Sequence, residues 1–239
     1  MRLVPVGKPS VLIYHTWMMA GNSEIRISRL GDSALLMDAA GDRFCETRQA
    51  KIWTVATQIL ACEAVREAVP GMNNLMIVFD PLLSDSAALE QALALAWSEA
   101  EAEARQRPVI EVATVYGGPE GEDLGALAII KTMTPQELVH LHASAIYTVA
   151  AVGAMPGFVY LSGLDPRLAT QRRPSPRMSV AKGSVIIGGS QAGIMPVTAP
   201  SGWHILGQTQ LDLFDPHRDP PALFQPGDRI RFVAERIIE

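Results

Sequence analysis

The chain has little of what usually identifies an enzyme at first reading. Of its 239 residues two are cysteine, Cys45 and Cys62, and their spacing fits neither a metal motif nor a CxxC pair. The expected state is two reduced thiols in a cytoplasmic protein. Aromatic residues make up 6% and charged residues 19%, with a net charge of −5, so there is no basic stripe of the kind that meets nucleic acid. No apolar run is long enough to span a membrane. Val11–Tyr14 and Trp17–Ala20 are short and interrupted, and His15 breaks the core that a signal peptide needs. Residues 1–22 read as an N-terminal extension, either a docked arm or poorly ordered. There is no GxxxxGK[ST] phosphate loop and no GxSxG nucleophile elbow. GSVIIGG is followed by strand and turn residues rather than a helix, which excludes a dinucleotide fingerprint.

What is present is core material. Apolar residues are 48% of the chain, which excludes disorder. Glu24–Arg29 alternates as a half-buried strand, and Gly31-Asp32 turns into a second, Ala34–Met37. Phe44–Val69 has helical spacing through Ile52, Val55 and Ile59, with Pro70-Gly71 as its stop. Asn74–Phe79 reads as a buried strand. Ser84-Asp85-Ser86 offers caps for a helix carrying Leu89, Leu93 and Trp97, with Glu99, Glu101 and Glu103 as a solvated face. This β-β-α-β-α order predicts an α/β sandwich over residues 23–106.

From residue 107 to 239 the pattern changes. Val109–Val115 is a strand, and Leu124–Ile130 a helical piece. Thr134-Pro135-Gln136-Glu137 is a capping box that opens a short helix ending near Ala143. Tyr147–Val152, Ser184–Ile187, Trp203–Leu206, Leu211–Phe214 and Asp228–Val233 then read as strands, the last entered through a turn at Pro226-Gly227-Asp228. Many short strands between turn signals predict a closed or partly closed barrel.

Candidate chemistry concentrates between Met155 and Trp203. Phe158 and Tyr160, behind Pro156 and Gly157, share a face, either as core aromatics or as a pocket wall. Gln191 follows Gly188, Gly189 and Ser190, and an amide on so flexible a loop suits a carbonyl or amide substrate. Arg167, Arg172, Arg173 and Arg177 form the basic cluster. Their planar forks suit a carboxylate or phosphate, and the alternative is a solvated loop. His140 and His142, two apart on a helix, point to different faces, which argues against a metal site. His142 stands just before the glycine-rich region, either in a site or satisfied near a helix end.

MPGFVYLSGLDPRLATQRRPSPR, GSVIIGGSQAGIMP, PSGWHILGQT and LFDPHRDPPALFQPGDRIRF, with RISRLGDSALLMD and VPGMNNLMIVFDP before them, resemble the allophanate hydrolase subunit 1 family, carboxyltransferase subdomains C and D. That family includes the B-type subunit of 5-oxoprolinase, a Kip-type inhibitor of a sporulation kinase, and part of urea carboxylase. The resemblance covers residues 24–239. It implies an α+β chain: an N-terminal ferredoxin-like domain, then a C-terminal cyclophilin-like β barrel. It implies a non-autonomous subunit that opens 5-oxoproline to glutamate, with ATP as co-substrate of the assembled complex and no metal or prosthetic group in this chain. The implied partners are a homologous C-type subunit and an A-type subunit. An allophanate or urea-carboxylase type component, or a kinase inhibitor, are the alternatives. On this reading His142 and Gln191 contact the amide. Pro156, Gly157, Phe158, Tyr160, Arg172, Arg173, Gly189 and Ser190 bind substrate. The chain departs from the family at Ala192 (usually Thr), Met195 (usually Tyr), Ser201 (usually Gly) and Gln208 (usually Arg), which removes hydrogen-bond donors.

Overall fold

A computed structural model describes residues 25–41, 43–102 and 107–238. The predicted N-terminal extension, Glu24 and Glu103 lie outside them. The chain divides into two compact units, one running to Val69 and resuming over Asn73–Glu101, the other comprising Pro70–Met72 and the chain from Ala102 onward. No helix among the described residues is long and apolar enough to cross a membrane.

The first unit contains β1 (Arg26–Arg29), β2 (Ala34–Asp38), α1 (Glu46–Ile59), β3 (Val65–Pro70), β4 (Asn74–Phe79) and α2 (Ser86–Glu99). Its sheet has the order β1-β2-β4-β3, with β2 antiparallel to both β1 and β4. Alternation along β2 and β4 buries Leu35, Met37, Leu75, Ile77 and Phe79 on one face, against Ile52, Val55 and Ile59 of α1 and Leu89, Leu93 and Trp97 of α2. Asp85 caps α2 by accepting the Ala88 amide at 2.7 Å. Cys45 offers α1 no side-chain cap. Instead Asn73, buried and left-handed at φ 55, accepts the Cys45 amide at 2.7 Å and donates to the Cys45 carbonyl at 2.8 Å.

The helical spacing expected over Phe44–Val69 is therefore realised only to Ile59. The chain turns at Cys62, whose carbonyl accepts the Val65 amide at 2.9 Å, and continues as β3. The physical reason is tertiary. β4 offers a free edge, and β-branched Val65 and Val69 suit a strand once a partner is present.

The second unit contains β5 (Val109–Gly117), α3 (Leu124–Ile130), α4 (Pro135–Ser144), β6 (Tyr147–Val152), β7 (Val159–Ser162), β8 (Arg177–Val180), β9 (Ser184–Gly188), β10 (Gln191–Ile194), β11 (Ala199–Ser201), β12 (His204–Gln208) and β13 (Arg229–Ile238). A closed barrel runs β10-β7-β6-β13-β5-β12-β9, while β8 and β11 form a separate two-stranded ribbon. Closure leaves the barrel no unpaired edge. β13 pairs with β5 in parallel and with β6 antiparallel. The capping box of α4 is complete: Thr134 Oγ1 accepts the Glu137 amide at 3.2 Å, and the Glu137 carboxylate accepts the Thr134 amide at 2.7 Å. The strand expected over Leu211–Phe214 is not formed, and a single bridge joins Phe214 to Ala222. Pro216, Pro220 and Pro221 follow it, and a chain so poor in amide donors cannot lie alongside as a ladder partner.

Candidate functional site

The period of two along the barrel strands separates two cores. Val159 and Leu161 of β7, Val185 and Ile187 of β9, Ala192 and Ile194 of β10 and Leu206 of β12 fill the interior. The residues between them face outward, where Phe158, Ile186, Met195, Trp203 and Ile205 form a second cluster together with Val180 of the ribbon. The registers agree: Gly193 lies opposite both Tyr160 and Ile186, and Ile186 opposite Ile205. Tyr160 and Ala199 pack partly buried against this outer cluster.

Three aromatic rings shape that outer layer, Phe158 and Trp203 each 5% exposed and Tyr160 half-buried. Phe158 meets Tyr160 edge-on at 4.9 Å between centroids and Trp203 at 5.9 Å, and Tyr160 meets Trp203 at 6.2 Å. Such geometry sets the positive edge of one ring against the negative face of the next. Two glycines make room for it. A Cβ on Gly188 would lie 2.7 Å from the Trp203 ring, and one on Gly193 would lie 3.1 Å from the Phe158 ring. The turn at Pro156 and Gly157 delivers Phe158 into the cluster, with the Phe158 amide donating to the Met155 carbonyl at 3.1 Å. Gln191 opens β10 opposite Gly188, across a two-residue turn made by Gly189 and Ser190. It belongs to a strand, not to the flexible loop that its glycine neighbours suggest. Neither the Gln191 carboxamide nor the Tyr160 hydroxyl has a hydrogen-bond partner among the described residues.

The arginine segment borders this surface. Its backbone is pinned at Thr170, which exchanges two hydrogen bonds with Gly189 at 2.9 and 2.7 Å, and at Arg173, whose amide donates to the Gly202 carbonyl at 2.7 Å. The guanidinium of Arg172 stands 5.3 Å from the centre of the Trp203 ring. Arg173 is not free for an external anion. It donates to Asp123 at 3.1 Å, and Arg177 holds the same carboxylate bidentately at 2.8 and 2.9 Å. Asp123, 5% exposed, also accepts the Ile205 amide at 2.8 Å. Burial raises the pKa of Asp123 more strongly than any other single influence. The Arg177 hydrogen bonds, the Ile205 amide and the two guanidinium charges together outweigh it and hold the carboxyl below its usual range.

His142 is not brought to this surface. It is fully buried, its Nδ1 lies 2.7 Å from the Tyr116 hydroxyl, and its ring packs 4.6 Å from Phe232 and 5.4 Å from Tyr147. Burial lowers its pKa to about 3. The ring is therefore neutral at physiological pH. Nδ1 and the Tyr116 hydroxyl share one hydrogen bond whose direction depends on the ring tautomer, and Nε2 has no partner among the described residues. The position just before the glycine-rich region is misleading, because α4 turns this residue inward with Leu138 and Val139.

Two residues of the site escaped sequence reasoning. Trp203 is legible only as part of a strand, since its contacts come from β7 and β9. Asp123 pairs with arginines 50 and 54 positions away, a separation no local pattern reports. The altered family positions also acquire places. Ala192 faces the barrel interior, Met195 fills the outer cluster, and Gln208 donates to the Lys182 carbonyl at 2.8 Å. A cleft of about 300 Å³ lined by Val115, Glu120, Gln208, Gln210 and Arg236, among others, shares no residue with the aromatic surface.

Known proteins match this chain over most of its length. It is 42% identical over 191 residues to the 5-oxoprolinase B-type subunit of Escherichia coli O157:H7, covering 79% of this chain and 86% of that protein. It is 32% identical over 224 residues to the 5-oxoprolinase B-type subunit of Bacillus subtilis, covering 87% of this chain and 92% of that one. The crystal structure of TTHA0988 matches with a TM-score of 0.73 at 30% identity, covering 84% of this chain but 39% of that protein, so this chain spans well under half of its length. Urea carboxylase of Kluyveromyces lactis matches with a TM-score of 0.73 at 19% identity, covering 88% of this chain and 22% of that one, a likeness of fold alone. Residues 25–224 match the family described as carboxyltransferase domain, subdomain C and D, and the chain belongs to that family.

Proposed function

We propose that this chain is the B-type subunit of an ATP-dependent 5-oxoprolinase, opening 5-oxoproline to glutamate in the cytoplasm when joined by partner subunits. The observation that carries this reading is similarity to 5-oxoprolinase subunits of the B type over 86% to 92% of their lengths. The fold supports it. The order β1-β2-β4-β3 supports reading the first unit as a ferredoxin-like sandwich whose last strand has moved to the front, with β2, α1 and β3 read as a split β-α-β unit around β4. The seven-stranded closed barrel is read as the cyclophilin-like domain. The two domains are taken as residues 23–106 and 107–239.

In this reading the outward aromatic surface receives the lactam. The Gln191 carboxamide, without a partner among the described residues, hydrogen-bonds the cyclic amide. Phe158 and Tyr160 wall the ring, while Pro156, Gly157, Gly189 and Ser190 shape the loops around it. His142 supports the core. A homologous C-type subunit completes the site, and ATP is the co-substrate of the whole assembly. In this reading nucleotide chemistry belongs to the A-type subunit. The urea-processing neighbour shares the fold alone and brings no reaction to this chain.

The test is ATP-dependent glutamate formation from 5-oxoproline by A-type and C-type subunits, with and without this chain. Activity that appears only on its addition is expected. No activity, from partners shown competent with another B-type chain, would overturn the proposal.

A further inference from the structure

The arginine segment contains one guanidinium without a hydrogen bond or ion pair among the described residues. Arg167 is bound to Asp165 through two hydrogen bonds of 2.9 and 2.6 Å. Arg173 and Arg177 share Asp123, and Arg177 also meets Glu122 at 3.0 Å, so these two cations face two carboxylates and the node is neutral. Arg172 has no hydrogen bond and no ion pair among the described residues. Its one ring contact is with Trp203, 5.3 Å from its guanidinium carbon. That contact favours the cation while leaving its N–H donors uncommitted.

The backbone on either side of Arg172 is held, and its exposed side chain leans on Trp203. Its neighbours Thr170 and Arg173 are hydrogen-bonded through their backbones, and His204 Nε2 lies 2.9 Å from the Gln171 carbonyl. Trp203 is fixed in turn by Phe158 and Tyr160, and it approaches β9 only because Gly188 has no side chain. A donor held ready in this way loses little freedom when a ligand arrives. We infer that Arg172 receives the carboxylate of the substrate, and that Trp203 and Gly188 are positioning residues that hold it over the surface presenting Gln191.

This inference rests on the reading of the chain as a 5-oxoprolinase subunit, and its test separates the two. In the reconstituted complex, Arg172→Met is expected to raise KM for 5-oxoproline roughly tenfold to a hundredfold, the loss of a charge-assisted contact, with a smaller change in kcat. Arg172→Lys should recover part of the loss, because an ammonium lacks the fork. Trp203→Leu should raise KM in the same direction. Inhibition by 2-pyrrolidinone, the same ring without its carboxylate, should be unchanged in Arg172→Met. A KM within twofold of wild type, or parallel loss of 2-pyrrolidinone binding, would overturn the assignment. If the wild-type complex fails to turn over 5-oxoproline, the functional reading falls, and tryptophan fluorescence of the complex decides this one separately. A carboxylate-dependent change present in wild type and absent from both Arg172→Met and Trp203→Phe sustains Arg172 as a carboxylate receptor. No such change refutes it.

Discussion

Replacing Asp123 by asparagine tests the electrostatic centre of the second unit. The side chain keeps its shape but loses its charge, while three hydrogen bonds from Arg173 and Arg177 and one from the Ile205 amide remain aimed at it. Deleting one partner of a buried ion pair costs about 3–5 kcal/mol, because the other charge is left without compensation. Here the arginine side chains keep 33% and 21% of their exposure, so water partly replaces the lost partner. That places the expected loss at the lower end, about 3 kcal/mol, or about 10 °C in Tm for a unit of this size. Urea and thermal unfolding of the full chain would measure it, with the denaturant slope unchanged if two-state behaviour holds. Asp165→Asn is the internal control. Its pair with Arg167 is short, at 2.6 Å, but Arg167 is 61% exposed, and the transition should stay where it is. A loss under about 1 kcal/mol for Asp123→Asn would refute the reasoning, since the node would then be no more than a surface ion pair.

Other consequences follow from individual positions. The pKa of His142 is near 6.5 when unfolded and about 3 when folded. As pH falls from about 6.5 toward 3 the unfolded chain takes up a proton that the buried ring refuses, so stability is lost with falling pH at up to about 1.4 kcal/mol per unit. In His142→Gln that loss is absent, and the stability gap between variant and wild type should narrow from pH 7 to pH 4 by urea titration. Gly188→Ala places a methyl 2.7 Å from the Trp203 ring and should cost about 1–3 kcal/mol, with a shifted Trp203 emission. Thr134→Ala removes half of a complete capping box and should cost about 1 kcal/mol by the same unfolding measurement.

Much of the fold was legible because it rests on local signals. Asn74–Phe79 is a single apolar run closed by Asp80-Pro81, and its boundaries in the structure are those read from the sequence. The Thr134 capping box marks the start of α4 through residues three positions apart. Elements made by distant partners were not legible. β3 looks helical until β4 is beside it. β8 and β11 are four and three residues long and pair only with each other. β10 is short and glycine-bearing, and it becomes a strand because β7 and β9 flank it. At the site, Phe158, Tyr160 and Gln191 were legible as candidates, and the barrel brings them to one outer surface. The inward turn of His142 and the capture of Arg173 by Asp123 depend on contacts that cross the fold.

On the proposed reading the outward face of the barrel, not its core, meets the substrate amide. Glutamate formation by the assembled complex carrying Gln191→Ala tests it most directly. Gln191 is half-buried at the start of β10 with no partner for its amide among the described residues, so the variant should fold and assemble normally. Loss of a donor to the reacting amide predicts a fall in turnover of roughly a hundredfold. Turnover within twofold of wild type, in a complex shown to be fully assembled, would contradict the account.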